Sequence, residues 1–330
     1  MSIRFAFTCG ALAVVILGVA AGDQWPKHPV PDLLTAGLGP TPAPRPAVEP
    51  PGPASAEPDC NPQNFRASLR PQGPMPAPGQ MPAGSTMARI AERGHLIAGI
   101  DQDTHQFAFR NTTLWQEGFD IDIVRDIVEA IFGDRERVVF RPLDVTDRVR
   151  TVKSGHVDLL VATSTITCRR REQVEFSTVY YEAGQRVLVN RGSAVTGLDD
   201  PRIGRVCAAR GSTSLGKILA APSKPVAVGV AATTDCLMLL QLAEIDAIST
   251  DDALLASMAA QDPRTEIIGP RITEEPYGIA ISKDTPDLVR FVNAVLERRV
   301  QDGRWQTSYE RWLMPLLGPA PSPPTPQYRD

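Results

Sequence analysis

The sequence offers little with which to hold a metal. It has four histidines, His28, His95, His105 and His156, and no HxxxH, HExxH or CxxC spacing. Neither a structural nor a catalytic zinc site is expected. A basic block is also missing and the formal charge is −4, so the electrostatic footprint of a nucleic-acid binder is absent. No Ser-His-Asp set or paired-carboxylate arrangement stands out. No enzymatic chemistry and no cofactor are therefore expected.

What is present begins with an export signal. Residues 1–22 carry one Arg and then an apolar run at 11–21 that ends in small residues. This reads as a signal peptide, or as an uncleaved membrane anchor. Cys9 stands at the start of the run rather than after it, so no lipid-anchor site is read. Either way the rest of the chain lies in the cell envelope, where Cys60, Cys168, Cys207 and Cys236 are expected as disulfides. Four cysteines allow three connectivities. Residues 23–85 read as a linker: 17 of the chain's 31 prolines fall between Pro26 and Pro82, with too little apolar surface between them to fold. The tail at 318–330 reads as the same kind of material.

Between linker and tail, strand and helix patterns alternate. A short helix from Met87 to Gly94 is followed by a strand at 95–100. The run at 117–132 has apolar residues at Ile123, Ile127, Val128 and Ile131, the spacing of a buried helix face. Strands at 138–140 and 157–161 flank a helix expected over 145–153, capped by Asp144 or Thr146. A second α/β unit follows, with strands at 187–189, 204–209, 226–230 and 245–252 and helices after each Gly-Ser or Thr-Asp turn. A return strand at 277–281 and amphipathic helices at 286–300 and 303–312 close the pattern. Such alternation argues for parallel α/β sheets.

The stretch 162–171, Ala-Thr-Ser-Thr-Ile-Thr-Cys-Arg-Arg-Arg, follows the apolar strand at 157–161. Hydroxyls and guanidinium groups gathered at a strand end suit a carboxylate, which Arg grips with two parallel charge-assisted bonds. The bland alternative is a polar turn with surface arginines.

Several motifs in order give the chain a resemblance. They are the Glu-Gly-Phe-Asp-Ile-Asp run at 117–122, Thr165 and Thr167 with Arg170, and Phe176-Ser177 with Tyr180 and Tyr181. The series continues with Gly-Ser-Thr-Ser at 211–214, Asp-Ala-Ile-Ser-Thr-Asp at 246–251, Tyr277-Gly278, and Gly303 with Trp305 and Tyr309. Over residues 88–315 the sequence resembles the polar amino-acid-binding family of extracytoplasmic solute-binding proteins, receptors of ABC importers. It is most similar to the glutamate-binding subgroup. The resemblance implies a bilobal α/β fold of the type II periplasmic-binding class, with two lobes joined by two crossing strands near 184–187 and 275–277. Lobe 1 is expected over 86–184 and 277–317, and lobe 2 over 185–276. It implies pairing of Cys207 with Cys236, which leaves Cys60 with Cys168.

The same resemblance implies the site. Arg170 grips the ligand's α-carboxylate, with hydroxyl and N–H support from Thr165. Thr163 stands where relatives often carry glycine. Asp251 holds the α-ammonium, and Asp101 lies near the amine or the side chain. Ser212 and Thr213 sit at a helix N-terminus, with a plain N-cap as their bland reading. Arg148 stands where members for acidic amino acids carry an Arg, and could meet a side-chain carboxylate. A surface helix Arg is the alternative. Phe107 is expected on the cleft wall and Phe109 in the core. The implied function is capture of an amino acid, glutamate or aspartate before glutamine or asparagine, by a monomer serving a membrane permease. The alternatives are a sensor of the same fold signalling to a membrane partner, or a dehydratase-like enzyme.

Overall fold

A computed structural model describes residues 64–330. The signal or anchor call at 1–22, most of the linker, and Cys60 lie outside the described residues. Helix α1 (Thr86–Arg93) leads into β1 (Leu96–Ile100) and a small antiparallel sheet of β2 (Asp103–Thr104), β3 (Ala108–Arg110) and β4 (Gln116–Glu117). Helix α2 (Phe119–Phe132), β5 (Val138–Pro142), α3 (Arg148–Lys153), β6 (Leu159–Val161), α4 (Cys168–Gln173) and β7 (Glu175–Phe176) follow. Strand β8 (Tyr181–Ala183) then leads to β9 (Gln185–Asn190), β10 (Arg205–Ala209), α5 (Thr213–Leu219), β11 (Val226–Val230), α6 (Asp235–Gln241), β12 (Ala247–Asp251), α7 (Asp252–Gln261) and β13 (Thr265–Ile268). The chain returns through β14 (Glu275–Tyr277) and β15 (Ala280–Ile281) to α8 (Pro286–Gln301), α9 (Arg304–Trp312) and α10 (Met314–Leu317).

These elements build two five-stranded sheets, ordered β5-β1-β6-β15-β7 and β11-β10-β12-β9-β13. In each, three adjacent strands starting from one edge run parallel: β1 with β5 and β6, and β10 with β11 and β12. An antiparallel strand joins each trio, β15 beside β6 and β9 beside β12. Between the sheets, β8 and β14 pair antiparallel as a two-stranded ribbon. The fold is the bilobal type II arrangement, with the first crossing a few residues earlier than expected.

Each lobe has its own apolar interior. The largest cluster joins Ile123, Val124, Ile127 and Ile131 of α2 to Leu96 and Ala98 of β1 and to Leu288, Val292 and Val295 of α8. This is the three-and-four spacing seen in the sequence, buried as expected. The start of α2 is fixed by Gly118 at φ 131°, where a Cβ would stand 2.2 Å from the Phe107 carbonyl oxygen. Only glycine tolerates that approach.

Three expectations change. The helix expected over 145–153 begins only at Arg148, because residues 144–147 close a turn in which Asp147 N–H donates to the Asp144 carbonyl at 2.9 Å. Neither Asp144 nor Thr146 caps it. Residues 64–70, read as linker, pack against the fold: Ala67 and Ser68 are buried, and the Ser68 hydroxyl donates to the Phe176 carbonyl at 2.6 Å. The tail docks on that segment. Ser68 N–H donates to the Gln327 carbonyl at 2.9 Å and Arg329 N–H to the Ser68 carbonyl at 3.1 Å. These two stretches stand beside prolines but contain none; backbone hydrogen bonds and charged side chains hold them, and Phe65 and Leu69 pack on the core.

Candidate functional site

Four strand ends converge. β1 and β6 are neighbours at the centre of one sheet, β10 and β12 at the centre of the other. On both sheets the chain order reverses at that pair, which leaves a crevice beyond the carboxyl ends of the strands. Asp101 follows β1, Thr163 and Thr165 follow β6, Ser212 and Thr213 follow β10, and Asp251 ends β12. The topology thus brings together eight of the nine expected site residues, counting Arg148 and Arg170 of the flanking helices. The lobes touch here: a Cβ on Gly211 would lie 3.3 Å from the Thr146 methyl. A cavity of 20 Å3 remains between Asp101, Asp103 and Thr104 on one side and Thr233, Thr234 and Leu254 on the other.

Arg170 lies in the first turn of α4, whose N-cap Thr167 accepts from the Arg170 N–H at 3.2 Å. Its Nη1 donates to the Thr165 carbonyl at 2.7 Å. The neighbouring Arg171 turns the other way: Nε and Nη2 donate to the Phe65 and Ala67 carbonyls, both at 2.5 Å, and burial lowers its pKa to about 10. The two adjacent guanidinium groups thus have separate partners.

Asp251 is buried. Oδ2 accepts from the Tyr277 hydroxyl at 2.5 Å, while Oδ1 is buried with no partner among the described residues. Its pKa is pushed up to about 8, first by burial and then by the charge of Glu275, with Tyr277 and Arg170 pulling the other way. It stands at the N-cap position of α7 but makes no side-chain cap hydrogen bond to that helix. A buried carboxylate with an idle oxygen calls for a cation.

Arg148, the first residue of α3, is also buried and not a surface Arg. Nε donates to the Leu143 carbonyl at 3.4 Å, Nη1 to the Ala162 carbonyl at 2.9 Å, and Nη2 to Asp101 Oδ2 at 2.6 Å. A guanidinium has five N–H donors, so two remain without a partner among the described residues. Thr163 adopts φ 43°, in the left-handed region that favours glycine. Its N–H donates to Asp120 Oδ2 at 2.9 Å. Burial pushes Asp120 up to about 7, with the Thr163 N–H acting against it.

Ser212 is a plain N-cap, accepting from the Leu215 N–H at 3.0 Å. Thr213 opens α5, at the helix N-terminus where it was expected. Its hydroxyl and that of Thr165, which was expected to serve the ligand's carboxylate, both donate to Glu275 Oε2, at 2.9 and 2.7 Å. A hydroxyl carries one proton, so neither can also donate to a ligand carboxylate. Phe107 is a core residue and not a wall, fully buried edge-on to Phe119, Tyr181 and Tyr277. Phe109 is the more open ring, stacked on His105 and edge-on to Trp312.

Sequence reading missed Asp120, Glu275 and Tyr277 as site residues. Asp120 carried a signal: an acid at the start of an apolar helix face, which is buried only with partners. Glu275 lay inside the expected crossing, and Tyr277 was read only as part of the Tyr277-Gly278 motif, with no role at the site. Of the disulfides, Cys207–Cys236 is present between β10 and α6, with the Cα atoms 5.7 Å apart. Cys168 is disulfide-bonded, and the Cys60 half of the second expected pair lies outside the described residues.

Comparison with known proteins agrees with this architecture. Residues 96–315 match the profile of the bacterial extracellular solute-binding proteins, family 3. The chain is 34% identical over 230 residues to the ABC transporter glutamine-binding protein GlnH of Bacillus subtilis, covering 69% of this chain and 84% of that protein. It is 29% identical to the glutamate-binding protein GluB of Corynebacterium efficiens, covering 73% and 84%. Among solved structures it superposes on a solute receptor for L-cysteine from Neisseria gonorrhoeae with a TM-score of 0.67 at 27% identity, over 71% of this chain and 96% of that one. Among the described residues no helix is long and apolar enough to cross a membrane. With two thirds of its length inside the match, the chain belongs to family 3 of the bacterial extracellular solute-binding proteins.

Proposed function

We propose that this protein captures a polar amino acid in the cleft between its lobes, outside the cytoplasm, and presents it to the permease of an ABC importer. The lobes are 86–184 with 277–317, and 185–276. The observation that carries the reading is Asp251: a buried carboxylate with one idle oxygen, in the field of Arg170. Together they offer a negative and a positive seat for an α-ammonium and an α-carboxylate. Arg148 stands at the side-chain end. Its two unused N–H groups suit a second carboxylate, which favours glutamate or aspartate.

A second reading, glutamine or asparagine, has its own support. Asp101 already pairs with Arg148, so that pair carries no net charge. Asp103 is raised by burial and by its neighbours Asp101, Asp235 and Asp144, an acidic surround that suits a neutral side chain. The names of relatives divide in the same way.

Calorimetry with glutamate and glutamine on two variants tests the assignment. Arg170→Ala removes the partner of the α-carboxylate, so both ligands lose alike, by about 2–5 kcal/mol. Arg148→Ala costs glutamate most and glutamine little if Arg148 reads the side chain. Normal binding by Arg170→Ala sinks the site. Equal losses at Arg148→Ala remove the preference for acidic ligands. Loss of labelled amino-acid uptake in cells lacking the chain separates importer from sensor.

A further inference from the structure

Glu275 is buried on β14, one of the two strands that run between the lobes. Its carboxylate collects hydroxyls from both sides. Oε2 accepts from Thr165, beyond β6 of the first sheet, at 2.7 Å, and from Thr213, at the start of α5 in the second, at 2.9 Å. Oε1 accepts from Thr273 at 2.6 Å. Each threonine hydroxyl has one proton and two acceptor lone pairs. With both protons committed to Glu275, Thr165 and Thr213 have only lone pairs to offer anything else. Lone pairs accept from an ammonium and disfavour a carboxylate.

We propose that Glu275 is a positioning and specificity residue: by taking the hydroxyl protons of Thr165 and Thr213 from both lobes at once, it turns this end of the cleft into an ammonium acceptor and makes the α-ammonium of the ligand obligatory. The proposal rests on the amino-acid reading above and adds to it. It also joins the lobes through one oxygen, so the two hydroxyls are set together only when Thr165 and Thr213 stand as close as they do here.

Charge supports the geometry. Asp251 faces Glu275 and Tyr277 on β14, Asp252 on α7 and Arg170 on α4. Burial first, then Glu275, keep its carboxyl protonated up to a pH of about 8. An ammonium favours the ionised form, so below that pH binding releases a proton and affinity falls as the pH is lowered. Removing the Glu275 charge moves that dependence to lower pH.

The test uses calorimetry with L-glutamate and with glutarate, which has both carboxylates and no ammonium. L-Glutamine and glutaramic acid replace them if the amide binds more tightly. Glu275→Met frees both hydroxyls. It should weaken the amino acid about 10- to 100-fold, the range for lost buried hydrogen bonds, and leave the deamino analogue unchanged or improved. Glu275→Gln keeps an acceptor oxygen on the threonines. It should bind the amino acid within about threefold of the parent but shift the pH dependence of affinity downward. An unchanged ratio of amino acid to deamino analogue in Glu275→Met overturns the proposal, as does an unshifted pH profile in Glu275→Gln. If Glu275→Met does not fold, the Gln variant alone decides. Arg170→Ala, run in parallel, separates the failures: weak binding there with an unchanged ratio at Glu275 sinks only this proposal, while normal binding sinks the site itself.

Discussion

Two buried aspartates show how differently the molecule treats the same group. Asp126 of α2 is surrounded by arginines: Arg299 of α8, Arg135 at 3.0 Å and Arg304 at 3.1 Å. Asp251 of β12 has a tyrosine hydroxyl on one oxygen, no partner among the described residues on the other, and a second carboxylate nearby. The first region, where α2, α8 and α9 meet, spends its charges on one another. The second leaves a deficit at the mouth of four strands. A charge deficit that the fold tolerates at a crevice is the physical signature of a place where something else completes it.

The comparison sharpens into one substitution made at two positions, with opposite expected signs. Asp126→Asn removes the anion at the centre of the cluster and leaves Arg299, itself almost fully buried, without its partner. The expected cost is about 3–5 kcal/mol, the range for breaking a buried pair by deleting one member. Asp251→Asn relieves a group whose folded pKa lies above its ordinary value. Such an acid binds its proton in the folded state where the unfolded chain has lost it. Stability therefore falls as pH rises from about 4 to about 8, and the full penalty persists above. Without ligand, Asp251→Asn should be more stable than the parent, by roughly 1–3 kcal/mol near neutrality, and the advantage should vanish below pH 4. Urea melts of both variants across pH decide the matter. Destabilisation by Asp251→Asn at pH 7 would show that the deficit is already filled by the protein.

These contrasts also explain what could be read in the sequence. The α/β order, the helix face of Ile123, Ile127 and Ile131, and the strand ends that carry Asp101, Thr165 and Asp251 were legible. Burial sets hydrophobic period, and topology sets where strands end. Arg148 was legible as a candidate only through resemblance, since its burial depends on a turn at 144–147 that delays the helix. The direction of the Thr165 and Thr213 protons was not legible at all. It is set by Glu275, 110 and 62 residues away in the chain, and no local pattern encodes such a partner. The docked ends failed for a different reason. Proline content nearby makes residues 64–70 and 327–330 read as linker and tail, although they hold no proline and Phe65, Ala67 and Leu69 are packed. It is silent about guanidinium groups, such as those of Arg171 and Arg329, that donate to the Ala67 carbonyl.

The smallest expected effect lies in that docked segment. Arg66 binds Glu182 at 2.9 Å, on β8, and Glu274 at 2.6 Å, just before β14, so it clasps both crossing strands from outside. The position invites the thought that it governs the hinge. The exposures argue for a small energy: the Glu182 side chain is 38% exposed and that of Glu274 83%. Ion pairs in such surroundings are worth about 0–1 kcal/mol and are screened by salt. Arg66→Ala should therefore lower stability by less than about 1 kcal/mol, and the difference should shrink at high ionic strength. The Asp126–Arg299 pair, with both side chains almost fully buried, should keep most of its effect in the same salt. A large, salt-insensitive loss at Arg66 would erase that distinction and make the clasp a structural part of the hinge. A small loss that disappears in salt would leave the hinge to the backbone pairing of β8 with β14 and to the threonines gathered on Glu275.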